Sequence, residues 1–188
     1  MTNTKDPTKD QKLFFKLIVC GTGGVGKTSL IRRYVENKFT ENYLMTLGMD
    51  PTNTAVEVDV GDGKTKPVNL IIYDVAGQDR FQSLREVFFR GAHGALLVFD
   101  LTRPETLDDL EKWYTDLYDR AGPVPTILVG NKADLEDEIN VDYQIIEDVV
   151  VPKFKVVKYI ETSCYLDQNV YQAFHDLTKS ILVERKLL

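Results

Sequence analysis

A chain of 188 residues suits a single domain with a well-buried core. Its composition, 43% hydrophobic and 28% charged, is typical of a folded globular protein. The net charge of -6 argues against a non-specific nucleic-acid surface, and no apolar run approaches the roughly 18 residues that span a bilayer.

The N-terminal segment Met1–Gln11 is polar and lacks the apolar core of a signal peptide. Position 2 is not the glycine that myristoylation requires. We expect residues 1–12 to form a flexible extension and residues 13–188 to form one domain.

The first predicted element is a buried strand, Leu13–Cys20, and the second is a helix over Leu30–Val35 with one apolar face. Between them lies Gly21–Ser29, GTGGVGKTS, whose first eight residues fit G-x-x-x-x-G-K-[ST]. A glycine loop between a strand and a helix directs backbone N–H groups and the helix dipole at one point, where a phosphate chain can bind. The alternative is an ordinary glycine turn followed by a surface lysine.

The residue types in this loop suit that chemistry. Glycines let the backbone approach a ligand without Cβ clashes. Lys27 would reach the terminal phosphates, and the Thr28 hydroxyl would ligate Mg²⁺. The predicted nucleotide-binding residues of the loop are Gly23, Gly24, Val25, Gly26, Lys27, Thr28 and Ser29.

The next elements form a hairpin and a central strand. After a polar connector, residues 36–50, the segment Ala55–Val60 alternates apolar and polar residues, and Val68–Tyr73 is predicted to return beside it. The segment Gly94–Asp100 is almost wholly apolar, which indicates a strand in the middle of the sheet.

The C-terminal half alternates helices and strands. Thr102 is the predicted N-cap of a helix to Arg120, with Pro104 in its first turn. The later predicted elements are a strand at Val124–Gly130, a helix from Asn140 to Val151 ended by Pro152, a strand at Val156–Ile160 and a helix from Asp167 to Arg185. This order predicts an α/β fold with a six-stranded, mostly parallel sheet, one antiparallel strand and helices on both faces.

Ligands bind such sheets at the loops beyond the carboxyl ends of the strands. The hairpin's second strand is followed there by Asp74-Val75-Ala76-Gly77-Gln78. Asp74 could hold Mg²⁺ through a water, the Gly77 N–H could contact a terminal phosphate, and Gln78 could orient an attacking water.

The strand Val124–Gly130 is followed by Asn131-Lys132-Ala133-Asp134. Guanine presents two neighbouring donors that one carboxylate can accept, and adenine does not, so Asp134 predicts guanine selectivity. Asn131 would link this loop to the glycine loop, and the Lys132 stem would lie over the base. After the last strand, Thr162-Ser163-Cys164 would offer backbone N–H groups to the guanine carbonyl.

Together these four motifs resemble the Ras superfamily of small GTPases, and within it the Rab-like branch. The resemblance extends from about Phe15 to the final helix and includes Phe88–Ala95 and Glu161–Ser163. It implies a P-loop NTPase G domain that binds GTP or GDP with Mg²⁺. By the resemblance, Phe39 stacks on the guanine edge, Tyr43 and Thr46 belong to a first switch loop, Thr46 is a third Mg²⁺ ligand, and the second switch runs from Gly77 to about Phe89.

Three departures from the family pattern affect these expectations. Pro51 stands where Rab proteins carry an aromatic residue of the effector surface. Cys164 and Tyr165 replace Ala and Lys in the base loop, where we still expect backbone contacts with guanine.

The resemblance implies slow, Mg²⁺-dependent hydrolysis of GTP, with Gln78, Lys27 and Thr46 as the catalytic residues. No arginine lies in Phe39–Asp50, so we expect an activating protein to supply one. Two alternatives remain: a binding module that does not hydrolyse its nucleotide, against which Gln78 and Thr46 argue, and a P-loop kinase or ATPase, against which Asp134 argues.

The resemblance also implies effector proteins, an exchange factor and an activating protein that bind the switch regions of a monomer. The two cysteines lie far apart, so no disulfide is expected, and a reducing cytoplasm fits. The end Arg185–Leu188 contains no cysteine for prenylation. We expect no membrane anchor in this chain, and peripheral attachment only through a tail outside it or through a recruiting protein.

Overall fold

The computed structural model describes residues 13–37, 51–61, 63–77 and 87–188, and within these ranges the chain forms one six-stranded sheet. The spatial order of the strands is β2-β3-β1-β4-β5-β6. Only the β2–β3 pair is antiparallel, which confirms the predicted hairpin in a mostly parallel sheet. The strands are β1 Leu13–Cys20, β2 Pro51–Gly61, β3 Lys64–Asp74, β4 Gly94–Asp100, β5 Thr126–Asn131 and β6 Lys158–Thr162.

Helices cover both faces of the sheet, as the α/β pattern predicts. The helices are α1 Lys27–Glu36, α2 Pro104–Asp108, α3 Leu110–Ala121, α4 Tyr143–Ile145, α5 Val151–Phe154 and α6 Val170–Glu184. One buried cluster contains Leu30 of α1 and Phe174 of α6. A second contains Trp113 of α3 and Phe154 of α5. Among the described residues, no helix is long and apolar enough to cross a membrane.

The apolar segments of the sequence form the middle of the sheet. Every residue of β4 is buried, and the second half of β1 is buried too. Because β1, β3, β4, β5 and β6 run parallel, their carboxyl ends lie at one edge. That edge carries the glycine loop and the segments that begin at Asp74, Asp100, Asn131 and Thr162.

The helix predicted from Thr102 to Arg120 is interrupted, and its predicted N-cap is wrong. Arg103 occupies the N-cap position of α2, while the Thr102 hydroxyl donates to Asp100 Oδ1 at 2.7 Å. The two short helices meet at Asp109, whose Oδ2 accepts the hydroxyl of Thr22 at 2.8 Å. The predicted position of Pro104 in the first turn is confirmed.

The helix predicted over Asn140–Val151 differs at both ends. It begins at Tyr143, where the Asp142 carboxylate accepts the Gln144 amide at 2.8 Å as an N-cap. It then widens into a π-helical turn, Ile146–Val150, and continues as α5. Pro152 does not end it, because the first turn of a helix needs no amide donor from a proline.

The remaining differences concern element boundaries. The strands predicted at Val124–Gly130 and Val156–Ile160 both begin two residues later. The last helix starts at Val170 rather than Asp167, because Asp167 and Asn169 have left-handed φ angles of 58° and 56°. Cys20 and Cys164 are both buried, and no disulfide joins these two described residues.

Candidate functional site

The glycine loop Gly21–Gly26 lies tightly against the ends of two strands. A Cβ atom on Gly21, which has a φ of 143°, would lie 2.0 Å from the Val98 carbonyl oxygen of β4. A Cβ atom on Gly26, which has a φ of 99°, would lie 2.1 Å from Nδ2 of Asn131 at the end of β5. Only glycine fits both positions, so the sequence pattern of the loop reflects its contact with the sheet.

Lys27 closes the loop from the first turn of α1. Its ammonium group donates to the carbonyls of Gly21 at 2.7 Å and Thr22 at 2.8 Å, and the residue is only 6% exposed. These two bonds hold a positive charge beside the loop, where it can neutralise phosphate oxygens. Val25 is a fully buried residue of the loop itself. Ser29 is half-buried and lies in the first turn of α1 with Lys27.

Thr28 and Asp74 meet at the carboxyl end of β3. The Thr28 hydroxyl donates to Asp74 Oδ2 in a very short contact, and Asp74 is buried. Hydroxyl and carboxylate oxygens are the ligands that Mg²⁺ prefers, and Mg²⁺ sites in nucleotide-binding proteins use few protein ligands. The donor atoms at this position therefore fit the predicted Mg²⁺ site.

Gly77 brings the chain after β3 directly onto the glycine loop. A Cβ atom on Gly77 would lie 2.3 Å from the Gly23 nitrogen and 2.6 Å from the Thr22 carbonyl carbon. Any side chain would push the two segments apart, so this contact depends on glycine. The start of the predicted second switch thus lies at the loop predicted to bind phosphate.

Asn131 joins the glycine loop to the two loops predicted to bind the base. Its Nδ2 donates to the Val25 carbonyl at 2.8 Å, and its Oδ1 accepts the hydroxyl of Thr162 at 3.0 Å. The thiol of Cys164 donates to the same Oδ1 at 3.4 Å. The predicted link between the loops is therefore present.

Ser163 fixes the orientation of Asp134. Its hydroxyl donates to Asp134 Oδ1 at 2.5 Å and accepts the Leu166 amide at 2.9 Å. The Ser163 N–H donates to the Gln168 carbonyl at 3.1 Å. Of the backbone donors predicted to contact guanine, the Ser163 N–H is therefore used within the loop, and the Ser163 side chain bonds Asp134.

Arg33 of α1 is a residue of this region that sequence reasoning missed. Its Nε donates to the Cys164 carbonyl at 2.8 Å and its Nη2 to the Tyr165 carbonyl at 3.3 Å. Tyr165 itself is 56% exposed, whereas Cys164 is buried. Burial raises the pKa of the Cys164 thiol to about 12, so the thiol stays neutral and can donate to Asn131.

Asp100, at the end of β4, is the second group that the sequence did not reveal. Its fully buried carboxylate accepts Lys132 Nζ at 2.6 Å, Arg103 Nε at 2.9 Å and two donors of Thr102. Burial alone would raise the pKa of Asp100, but Lys132 and Thr102 lower it below its ordinary value. The side-chain stem of Lys132 was expected to lie over the base. Its ammonium group is anchored by Asp100.

Four predicted site residues, Phe39, Tyr43, Thr46 and Gln78, lie outside the described residues. The remaining predicted residues gather at the carboxyl edge of the sheet. A glycine loop between β1 and α1, with a lysine and a threonine at its end and an aspartate at the end of β3, defines a P-loop nucleotide-binding protein.

Comparisons with known proteins identify the family. The sequence model of the Ras family matches residues 16–183. The GTP-binding protein yptV5 of Volvox carteri is 39% identical over an alignment of 191 positions, which covers 95% of this chain and 87% of that protein. Human Ras-related protein Rab-4B is 39% identical over 169 residues, which cover 89% of this chain and 76% of that protein. Ras-related protein Rab-32B of Dictyostelium discoideum is 35% identical over 182 residues, which cover 94% of this chain and 68% of that protein. The chain belongs to the Ras family, and its relatives place it in the Rab-like branch.

Proposed function

We propose that this protein is a switch that binds GTP or GDP and hydrolyses GTP slowly. The observation that carries the proposal is a hydrogen bond between the two loops. Asn131 Nδ2, in the loop of Asp134, donates to the Val25 carbonyl at 2.8 Å, in the glycine loop Gly21–Gly26 that forms the P-loop. This bond supports a site in which the loop proposed to bind phosphate and the carboxylate proposed to select guanine are held together. The family membership supports the same conclusion.

The base is recognised by Asp134 in this proposal. Ser163 holds one carboxylate oxygen of Asp134, and each carboxylate oxygen can accept more than one donor. Acceptor capacity therefore remains for the two neighbouring N–H donors of guanine. Adenine lacks that donor pair, so a site built around Asp134 selects guanine.

The phosphates are held by the P-loop amides and by Lys27, whose ammonium is fixed by two carbonyls. Thr28 and Asp74 would hold Mg²⁺, with Thr46 as a further ligand when a γ-phosphate is present. When bound, Mg²⁺ neutralises charge on the β- and γ-phosphates. Gln78 orients the attacking water, and Lys27 with the loop amides stabilises the charge that develops in the transition state.

The switch consists of the first switch loop with Tyr43 and Thr46 and the second switch from Gly77 to about Phe89. Gly77 already contacts Gly23, so the γ-phosphate would bind next to the start of the second switch. Release of that phosphate removes its contacts with both loops, which changes the surface that effectors bind. We propose that an exchange factor and an activating protein act on the same loops, and that the activating protein supplies an arginine worth about 10³–10⁵ in rate.

The decisive experiment measures nucleotide content and selectivity of the purified protein. We expect bound GDP with Mg²⁺, and displacement of a fluorescent GDP by GTP but not by ATP. Asp134→Ala should lose this selectivity, whereas Asp137→Ala, in the exposed turn Glu136–Glu138, should keep it. Equal competition by ATP and GTP in the wild-type protein would overturn the proposal in favour of a P-loop kinase or ATPase.

A second measurement separates the switch from a binding module that never hydrolyses its nucleotide. Single-turnover release of phosphate from the Mg²⁺–GTP complex should be slow but measurable, and Gln78→Leu should reduce it further. Fast release that depends on an arginine of this chain would contradict the need for an activating protein. No release at all would favour the binding module.

A further inference from the structure

Arg103, at the carboxyl end of β4, connects a buried carboxylate to the P-loop. Its Nε donates to Asp100 Oδ2 at 2.9 Å, and its Nη2 donates to the Gly23 carbonyl at 3.2 Å. A Cβ atom on Gly24 would lie 3.6 Å from the same Nη2. The guanidinium therefore borders the Gly23–Gly24 peptide, 80 residues away in sequence.

The position of this guanidinium is set by its surroundings. Asp100 is 0% exposed, and its other carboxylate oxygen is held by the amide and hydroxyl of Thr102. Lys132 donates to the same Oδ2 as Arg103, at 2.6 Å. Asp100, Arg103 and Lys132 together carry a net charge of about +1, from elementary charge counting. A side chain fixed by a buried partner loses little further entropy when it binds a second group.

The hydrogen bond from Arg103 to the Gly23 carbonyl affects the direction in which the Gly24 N–H points. No described peptide bond is cis, so in the Gly23–Gly24 peptide the N–H of Gly24 points opposite to the C=O of Gly23. Gly24 has a φ of 78°, which shows that this peptide is held in a conformation that only glycine adopts easily. A carbonyl held by Arg103 therefore turns the Gly24 amide away from Arg103.

We propose that Arg103 is a positioning residue for nucleotide binding, which holds the Gly23–Gly24 peptide so that the Gly24 N–H faces the phosphates of the nucleotide. This inference rests on the proposed function and deepens it. Arg103 does not contact the reacting atoms. It acts through Gly24, and its charge adds to the positive potential of the P-loop.

The test compares variants of the full chain by GDP dissociation and by the Gly24 amide resonance in the GDP complex. Arg103→Gln removes the charge and the bridge, and we expect GDP to dissociate about 10-fold faster, which corresponds to about 1.4 kcal/mol. The Gly24 ¹H–¹⁵N resonance should shift with it. Arg103→Lys keeps a charge near Asp100 but cannot contact both partners through a planar fork, so it should shift the resonance in the same direction and restore only part of the affinity.

Arg120→Gln is the matched control, because it removes the same charge at the opposite edge of the sheet. Arg120 is paired with Asp116 at 2.8 Å near the end of α3, and the variant should release GDP like the wild type. Wild-type dissociation with an unshifted Gly24 resonance in Arg103→Gln would overturn the inference. If Arg103→Gln does not fold, the same two outcomes are read from Arg103→Lys. A wild-type protein that fails to bind GDP would instead overturn the proposed function.

Discussion

Asn131 joins the P-loop to both loops that are expected to bind the base. It is 2% exposed. Its side-chain amide donates to the Val25 carbonyl and accepts from the Thr162 hydroxyl and the Cys164 thiol. Each buried polar group left without a partner costs about 1–3 kcal/mol, so Asn131→Ala should lower the free energy of unfolding by about 2–4 kcal/mol. Guanine nucleotide affinity should fall as well, because the two loops lose their link.

Urea unfolding and GDP titration measure both effects. Asn69→Ala is the control, since its Nδ2 makes one bond to the Leu13 carbonyl at 3.2 Å on the sheet. That variant should lose less stability and keep its GDP affinity. Equal losses in the two variants would show that Asn131 has no special role in joining the loops.

Cys164 gives the site a pH dependence in the alkaline range. Burial raises the pKa of its thiol from the ordinary 9.0 to about 12, against smaller opposite effects from Asn131 and Arg33. Between about pH 9 and pH 12 the unfolded chain loses this proton and the folded chain keeps it. The unfolded state then binds fewer protons, so the free energy of unfolding falls as pH rises through this window and is unaffected below it.

We expect Cys164→Ala to lose less stability than the wild type between pH 9 and pH 12, as measured by urea unfolding at each pH. Tyr34 and Tyr159, whose pKa values burial also raises, are present in both proteins and cancel in the difference. Parallel pH profiles would contradict the prediction. GDP binding at pH 7 should survive the substitution, because the expected contact with guanine is through the backbone.

Helix α6 packs so closely against β4 at Gly94 that no side chain fits between them. A Cβ atom on Gly94 would lie 2.8 Å from Ile181 Cδ1 and 2.9 Å from Leu177 Cδ1. Gly94→Ala should therefore overpack this interface and lower the free energy of unfolding by about 1–3 kcal/mol. Ile181→Val removes one of the two methyl groups, so the double variant should recover part of the loss. A double-mutant cycle by urea unfolding measures this coupling, and additive losses would contradict it.

The elements that the sequence predicted well are those whose signal is local. An apolar run marks β4, period-two alternation marks the β2–β3 hairpin, and apolar residues at spacings of three and four mark α6. The interruption at Asp109 has no such signal, because it accompanies a hydrogen bond from Thr22 of the P-loop. The π-helical turn Ile146–Val150 likewise depends on how the surrounding helix packs, which periodicity does not report.

The site could be predicted from the sequence only as far as its residues follow the carboxyl ends of strands. Parallel strands bring their carboxyl ends to one edge, so Asp74, Asn131 and Asp134 could be assigned together with the P-loop. Arg33 and Arg103 could not, because they contact carbonyl oxygens 131 and 80 residues away, and backbone acceptors leave no mark in a sequence. The supporting contacts of a site are therefore harder to predict than its ligand-binding groups.

We expect the binding of metal and nucleotide to be coupled to the stability of the whole fold. Thr28 and Asp74 come from α1 and β3, so a ligand that binds both restrains two parts of the fold. A ligand present at about 100 times its dissociation constant stabilises a protein by about 2.7 kcal/mol. For a chain of this size that corresponds to a rise in Tm of about 5–10 °C.

We expect GDP with Mg²⁺ to produce such a rise and EDTA to remove part of it. Asp74→Ala should keep a nucleotide effect but lose the response to EDTA, whereas Asp176→Ala, paired with Lys158 at 2.8 Å on α6, should respond like the wild type. A response to EDTA that survives in Asp74→Ala would place the metal elsewhere, because a carboxylate that holds Mg²⁺ cannot be removed without weakening the metal's contribution.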